Sequence, residues 1–111
     1  MAPFDAFRSY QDGWDGYGAK APLPSSLDAA NAFYALLPEG AQKAAHPGVH
    51  AAGHAMIEIR HDPAYAVFEF PWHGRIEIFV IAPGVEMEAG DPFDGSALPR
   101  GISAAMTNLF R

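Results

Sequence analysis

The chain has 111 residues, half of them hydrophobic and 13% aromatic, with a net charge of −6 and no cysteine. This size and composition predict one folded domain over residues 1–111 rather than a disordered chain. The lack of cysteine excludes disulfides, thiolate metal sites and a cysteine nucleophile, and the acidity disfavours a nucleic-acid partner. The start of the sequence is unlike a signal peptide, and no apolar run reaches the length of a membrane span. We therefore expect a cytoplasmic protein without a membrane partner.

The first third of the chain is built around a glycine-rich stretch, residues 12–19, that follows a short helical turn containing Phe4 and Phe7. Its three glycines permit backbone angles that other residues resist, and its two aspartates can accept hydrogen bonds from nearby backbone amides. The two large aromatic residues of the stretch are Trp14 and Tyr17. We expect them to anchor a tight loop onto the core.

A helix is predicted over residues 26–37, because its apolar residues recur at helical spacing. Ser25 or Ser26 is the expected N-cap, and Pro38 ends the helix. The alanine-rich residues 39–45 have the composition of one further helical turn, whereas proline and glycine between residues 47 and 53 interrupt any longer element.

From His54 onward the hydrophobic period is two, which is typical of strands. The alternation predicts strands over residues 56–60, 65–72 and 75–82, with a short fourth strand at 85–88. In the second and third strands, one face carries the large apolar residues Phe68, Phe70, Trp72, Ile76, Ile78 and Val80. The proline at position 71 either places the second strand at a sheet edge or ends its pairing there.

Residues 90–100 have a loop composition, and residues 102–110 return to helical spacing. The order of elements predicts an α+β domain. Its sheet is an antiparallel meander of three to four strands, packed with the helix of the N-terminal half and a short C-terminal helix.

Part of the chain resembles a group of short bacterial proteins that have no assigned activity. The shared features are the Trp-Asp-Gly-Tyr-Gly-Ala segment at residues 14–19, the prolines at 22 and 24, a helix ending at Leu37-Pro38, and the strand segment at residues 53–59. Members of the group are associated with mobile elements or toxin–antitoxin loci. The resemblance implies a role in binding another protein and implies no catalytic residues.

The candidate metal ligands are histidines and aspartates. His46, His50 and His54 are spaced by four, which on a helix would stack three imidazoles, but the proline and glycines between them disfavour that helix. The pairs Asp12/Asp15 and Asp91/Asp94 do not follow the pattern of an EF-hand, and turn capping is the favoured interpretation. We therefore expect no metal ion and no other cofactor.

Three glutamates, Glu58, Glu69 and Glu77, lie on three neighbouring predicted strands. Strand pairing would bring Glu69 near Glu77 or Arg75 on one face. A pair of carboxylates can act as general acid and base only if burial raises one pKa, and nothing in the sequence indicates this. Solvated glutamates on a sheet face are the favoured interpretation, so we expect no catalytic residues.

These observations favour a non-enzymatic inhibitor of a protein partner with a basic surface, similar to an antitoxin or a phage anti-CRISPR protein. Two further hypotheses remain open: a small-molecule-binding or enzymatic domain with a pocket near Trp14, His54 and His73, and a homodimer formed through the sheet face. The predicted partner-binding residues are Trp14, Asp15, Tyr17, Glu58, Glu69, Trp72 and Glu77.

Overall fold

The period-two segments form consecutive strands of one antiparallel sheet in the computed structural model. The structure describes residues 2–71, 74–82 and 85–103. Across these residues the sheet has five strands in the order β1-β2-β3-β4-β5, each paired with its neighbours in sequence. The strands are β1 (Ala45–Val49), β2 (Ala55–His61), β3 (Ala64–Phe70), β4 (Arg75–Ala82) and β5 (Val85–Pro92). The α+β class is therefore confirmed.

The predicted number of three to four strands is wrong, because β1 was not expected. This strand contains Pro47 and Gly48, residues that disfavour regular structure, yet it pairs with β2 from Ala45 opposite Ile59 to Val49 opposite Ala55. It lies at the edge of the sheet, where a proline is tolerated because one side of the strand needs no partner. At the other edge, β5 extends four residues beyond the predicted segment 85–88.

The helices agree closely with the sequence pattern. A 3₁₀ helix covers Asp5–Ser9, α1 covers Pro24–Leu36, and α2 covers Glu39–Ala44. Residues 100–103 are helical, and the remainder of the predicted C-terminal helix lies outside the described residues. Within the part of the chain that the structure describes, no helix is long and apolar enough to cross a membrane.

One face of the sheet forms the hydrophobic core together with α1. Phe33 of α1 packs its ring 4.9 Å from that of Phe68 and 5.5 Å from that of Phe70, and Phe93 closes the cluster at 5.8 Å. The predicted alternation is confirmed, because the alternate residues Phe68, Phe70, Ile76, Ile78 and Val80 are all buried. Trp72, which the sequence placed on the same face, lies outside the described residues. Because successive side chains of a strand point to opposite faces, the remaining residues of each strand lie on the other face of the sheet.

Proline 71 ends the third strand rather than marking an edge. β3 runs to Phe70 and lies in the middle of the sheet, between β2 and β4. Of the two alternatives that the sequence left open, the end of pairing is the correct one. A proline inside a central strand would remove a ladder hydrogen bond, so the strand stops before it.

The expected serine cap on α1 is wrong. The helix begins at Pro24 with Leu23 in the N-cap position, and among the described residues no side chain caps its first turn. Pro24 suits the first helical position because its fixed φ is already close to the helical value. Ser26 is instead fully buried. Its Oγ donates to the Phe70 carbonyl oxygen at 2.6 Å and accepts from the Ala55 amide at 2.8 Å.

We expect Ser26→Ala to lower the free energy of unfolding by about 1–3 kcal/mol, because two buried backbone groups lose their hydrogen-bond partner. Ser25→Ala is the matched control. Ser25 is exposed, so the same change there should alter stability by no more than about 0.5 kcal/mol. Urea denaturation followed by circular dichroism measures both variants. Equal losses of stability in the two variants would show that the hydrogen bonds of the Ser26 hydroxyl do not stabilise the fold.

Candidate binding face and histidine cluster

The glycine-rich stretch is a tight loop, as predicted. Gly13, Gly16 and Gly18 all have positive φ, which strains any other residue. The Asp15 carboxylate accepts the amide N–H of Tyr17 at 2.8 Å and that of Ala19 at 3.1 Å. These two hydrogen bonds lower the pKa of Asp15, and the one from the Tyr17 amide has the larger effect. Capping by aspartate therefore holds the loop in shape.

The aromatic residues of the loop behave differently from each other. Tyr17 is 93% exposed, so the expectation that it anchors the loop to the core is wrong. Trp14 is half-buried, packs its ring 5.3 Å from that of Tyr10, and donates its indole N–H to the Lys20 carbonyl oxygen at 2.8 Å. Since hydrogen bonds and positive-φ glycines define the loop, Tyr17 does not need to be buried.

The segment after this loop docks on the turn between β1 and β2. The amide of Lys20 donates to the Ala51 carbonyl at 2.8 Å, and the amide of Leu23 donates to the Gly53 carbonyl at 2.8 Å. Gly53 has a φ of +96°, and a Cβ placed there would lie 2.9 Å from the Ala21 carbonyl oxygen. The close approach of the two backbones thus requires glycine at position 53.

The same turn brings two histidines together. The Gly53 amide donates to the His50 carbonyl at 2.9 Å, and the His50 amide donates to the His54 carbonyl at 2.8 Å. The imidazole rings of His50 and His54 consequently stack, with centroids 4.5 Å apart and planes 10° from parallel. The Nδ1 atom of His50 accepts the Ala52 amide N–H at 3.0 Å.

Glu69 of β3 completes this cluster. Its Oε1 lies 3.0 Å from His54 Nε2, and the two side chains are 34% and 16% exposed. One potential ligand atom from each of His50, His54 and Glu69 lies within 4.8 Å of the others. The sequence disfavoured a helix that would stack His46 with these two histidines, and His46 indeed lies on a strand, β1, opposite Glu58.

The three predicted glutamates share the sheet face opposite the core. Glu69 and Glu77 are a directly paired couple on β3 and β4, and Glu58 pairs with Val67 on the same face. Sequence reasoning missed two further glutamates of this face, Glu86 and Glu88. They lie on β5, where they pair with Ile81 and Phe79 of β4. We call this surface the open face. Both α1 and α2 contribute buried residues to the core on the other side, and none of the described helices covers the open face.

Two arginines lie among these carboxylates. Arg75 starts β4, and a Cβ at Gly90 would lie 2.5 Å from its Nη2 atom, so its guanidinium extends over the Gly90 backbone. A shallow depression of about 300 Å³ lies beside it, lined by Glu69, Glu77 and Glu88 among others. Carboxylates and a guanidinium thus converge at this end of the face.

The other end of the open face holds Arg60, Tyr65 and Glu58. The Arg60 guanidinium lies 5.4 Å above the centre of the Tyr65 ring and 3.7 Å from the Glu58 carboxylate. Burial, followed by the hydrogen bond to Glu58, raises the pKa of Tyr65. The tyrosine hydroxyl donates its hydrogen bond to the Glu58 carboxylate.

The structure divides the predicted partner-binding residues between two places. Glu58, Glu69 and Glu77 lie on the open face, whereas Trp14, Asp15 and Tyr17 belong to the glycine loop; Trp72 lies outside the described residues. The aspartates proposed as turn caps are also separate. Asp12 accepts the Ala21 amide at 2.8 Å, and Asp94 accepts the amide and hydroxyl of Ser96. Asp91 lies on β5 opposite Ile76.

Comparisons with protein-family models, with curated proteins and with solved structures found no match.

We expect Gly53→Ala to destabilise the protein more than Gly16→Ala. Both glycines have positive φ, but a Cβ at Gly16 meets nothing within 4 Å. Gly16→Ala should therefore lose only the roughly 1–2 kcal/mol of left-handed strain. Gly53→Ala should lose at least about 1 kcal/mol more, because the added methyl group collides with the backbone at Ala21. Urea denaturation compares the two, and equal losses would contradict the close backbone approach.

The glycine loop should loosen at acidic pH. The folded pKa of Asp15 is lowered, whereas in the unfolded chain it returns to about 3.9. Its stabilisation is therefore complete above the unfolded pKa and is lost as the pH falls through the lowered folded pKa. NMR signals of the Tyr17 and Ala19 amides should follow this titration. The Asp15→Asn variant should show no such titration. If the two amide signals still titrated in this variant, Asp15 would not be the group responsible.

Proposed function

We propose that the protein is a non-enzymatic interaction module whose open face binds a basic surface of a protein partner. One observation carries this proposal: five glutamates lie on a single sheet face together with only two arginines among the described residues of that face. The acidic residues are Glu58, Glu69, Glu77, Glu86 and Glu88, and the basic ones are Arg60 and Arg75. Such a surplus of carboxylates attracts a cationic surface and speeds its encounter.

The pairing of Glu69 with Glu77 supports a binding role. Two like charges directly opposite each other on antiparallel strands destabilise a sheet. A departure from local stability rules is typical of functional surfaces. Within the chain, His54 contacts Glu69 and Arg75 lies beside both carboxylates. A lysine or arginine of a partner would add further positive charge there.

The apolar residues of the open face have the arrangement of an interface centre. Val67 and Phe79 are directly paired and half-buried, and the neighbouring Ile81 is 45% exposed. Glu58 on β2 and the pair Glu86 and Glu88 on β5 flank this apolar strip. Protein interfaces commonly combine an apolar centre with a polar, charged rim. We therefore assign the strip as the part of the face that a partner would exclude from water.

The biological form that we propose is an inhibitor that neutralises its partner by occupying its surface, in the manner of an antitoxin or an anti-CRISPR protein. Support comes from the acidic open face and from the resemblance of residues 14–19 and the helix after them to bacterial proteins of mobile elements and toxin–antitoxin loci. The cytoplasm is the proposed compartment, because a cysteine-free chain suits a reducing environment.

The charge of the open face argues against the alternative of a homodimer formed by packing two such faces. A second copy would bring five more carboxylates against the first five. Repulsion between like charges at an interface lowers affinity for the wrong partner. The small-molecule alternative would use the surroundings of Trp14 and His54, and binding of a partner protein distinguishes the two hypotheses.

We expect Glu88→Gln to weaken partner binding several-fold. Glu88 is exposed on β5 opposite Phe79, at the rim of the apolar strip. Removing its charge reduces electrostatic attraction, mainly by slowing association. Glu39→Gln is the matched control, because Glu39 is an equally exposed glutamate on α2 that is paired with Lys43.

The experiment immobilises the wild-type protein and both variants, and passes bacterial lysate over each at moderate and at high salt. A basic protein retained by the wild type and by Glu39→Gln, but reduced on Glu88→Gln and released by salt, would support the proposal. A partner that binds all three proteins equally would place the interface elsewhere. If none is retained, a ligand-binding or self-associating role gains weight.

A further inference from the structure

We propose that His50, His54 and Glu69 form a binding site for a divalent transition-metal ion, with zinc as the best-suited ion. The site is defined by three potential ligand atoms that all lie within 4.8 Å of one another. It stands at one end of the open face and uses residues from the β1–β2 turn and from β3.

The chemistry of the donors selects the metal. Two imidazole nitrogens and one carboxylate oxygen suit zinc and similar ions, which bind three protein ligands and leave a fourth position for water or another molecule. Calcium and magnesium prefer sites made of oxygen ligands alone. The pair of histidines therefore favours a transition metal.

The distances are close to those of a tetrahedral site. Zinc bonds of about 2.0–2.2 Å keep neighbouring ligand atoms roughly 3.3 Å apart. His54 Nε2 and Glu69 Oε1 are 3.0 Å apart, so a small separation would admit the ion between them. The exposed His50 has the larger distance to cover, and its ring must rotate out of its stacked position on His54 to do so.

His50 is also the ligand whose hydrogen bonding changes on binding. Its Nδ1 atom accepts the Ala52 amide N–H at 3.0 Å. Binding through Nδ1 replaces this hydrogen bond, and binding through Nε2 requires the ring proton to reside on Nδ1. Either route moves the NMR signals of the His50 ring and of the Ala52 amide together.

The surrounding structure holds the other two ligands in place. His54 and Glu69 directly adjoin Ala55 and Phe70, the strand pair whose backbone groups both hydrogen-bond to the buried Ser26 hydroxyl. The turn that carries His50 is fixed by the amides of Lys20 and Leu23. The hydrogen bond between His54 and Glu69 does not involve His50, whereas a shared metal ion would be bound by all three side chains.

The test is calorimetric titration of the tag-free chain, residues 1–111, with zinc chloride. We expect saturable binding of one ion per chain. His50→Ala, His54→Ala and Glu69→Gln should each weaken it at least about tenfold, since even the loss of a residue that only supports a ligand commonly has this effect. His46→Ala is the matched control: it removes an exposed histidine of β1, and affinity should remain within twofold of the wild type.

A second measurement uses cobalt in place of zinc. Its visible absorption should have the intensity of a four-coordinate ion in the wild type and in His46→Ala, and should be lost in His54→Ala. Circular dichroism establishes that each variant is folded, and His50→Ala keeps the test valid if the more buried positions are not tolerated. Glu88→Gln should bind zinc like the wild type, which separates this inference from the proposed partner binding.

Absence of saturable zinc binding to the folded wild type would overturn the proposal. So would an equal loss of affinity in His46→Ala and His54→Ala, because the ion would then be held by exposed histidines in general. Unchanged affinity in both His50→Ala and His54→Ala would assign the ion to other residues and would likewise overturn it.

Discussion

The buried hydroxyl of Ser26 connects the helix to the sheet at the point on which the functional geometry depends. It donates to the Phe70 carbonyl and accepts from the Ala55 amide, the last directly paired residues of β2 and β3. A buried backbone group without a partner is costly, so this contact fixes how α1 enters the core and where the strand pair ends. His54 precedes Ala55 and Glu69 precedes Phe70 in the chain, so their 3.0 Å contact lies at that fixed end.

The alternation of the strands then decides which surface is available for binding. One set of alternate residues meets Phe33 of α1 and is buried, so the other set must lie on the opposite face. That face combines paired glutamates with the half-buried couple of Val67 and Phe79. A core on one side and an acidic, partly apolar surface on the other are thus two results of the same pattern.

The glycine loop contributes to the site through the backbone rather than through its aromatic residues. Tyr17 projects into solvent, while Lys20 and Leu23, which follow the loop, pair with the turn that carries His50. Because Gly53 lets the two backbones approach closely, the loop and the turn act as one support. The segment most prominent in the sequence therefore positions functional side chains without supplying them.

The sequence by itself determined the α+β class, α1, the strands β2 to β4 and the alternation of apolar residues along them, because these follow from local periodicity. It also predicted Glu69 near Arg75 or Glu77 on one face, and the structure pairs Glu69 directly with Glu77. Only the tertiary structure decided that the Pro-Gly segment of β1 is an edge strand and that His50, rather than His46, joins His54. The same holds for Ser26, which appeared to be a helix cap and instead bonds residues 29 and 44 positions away. These features depend on contacts between segments that are distant in sequence, and the local pattern of residue types does not predict such contacts.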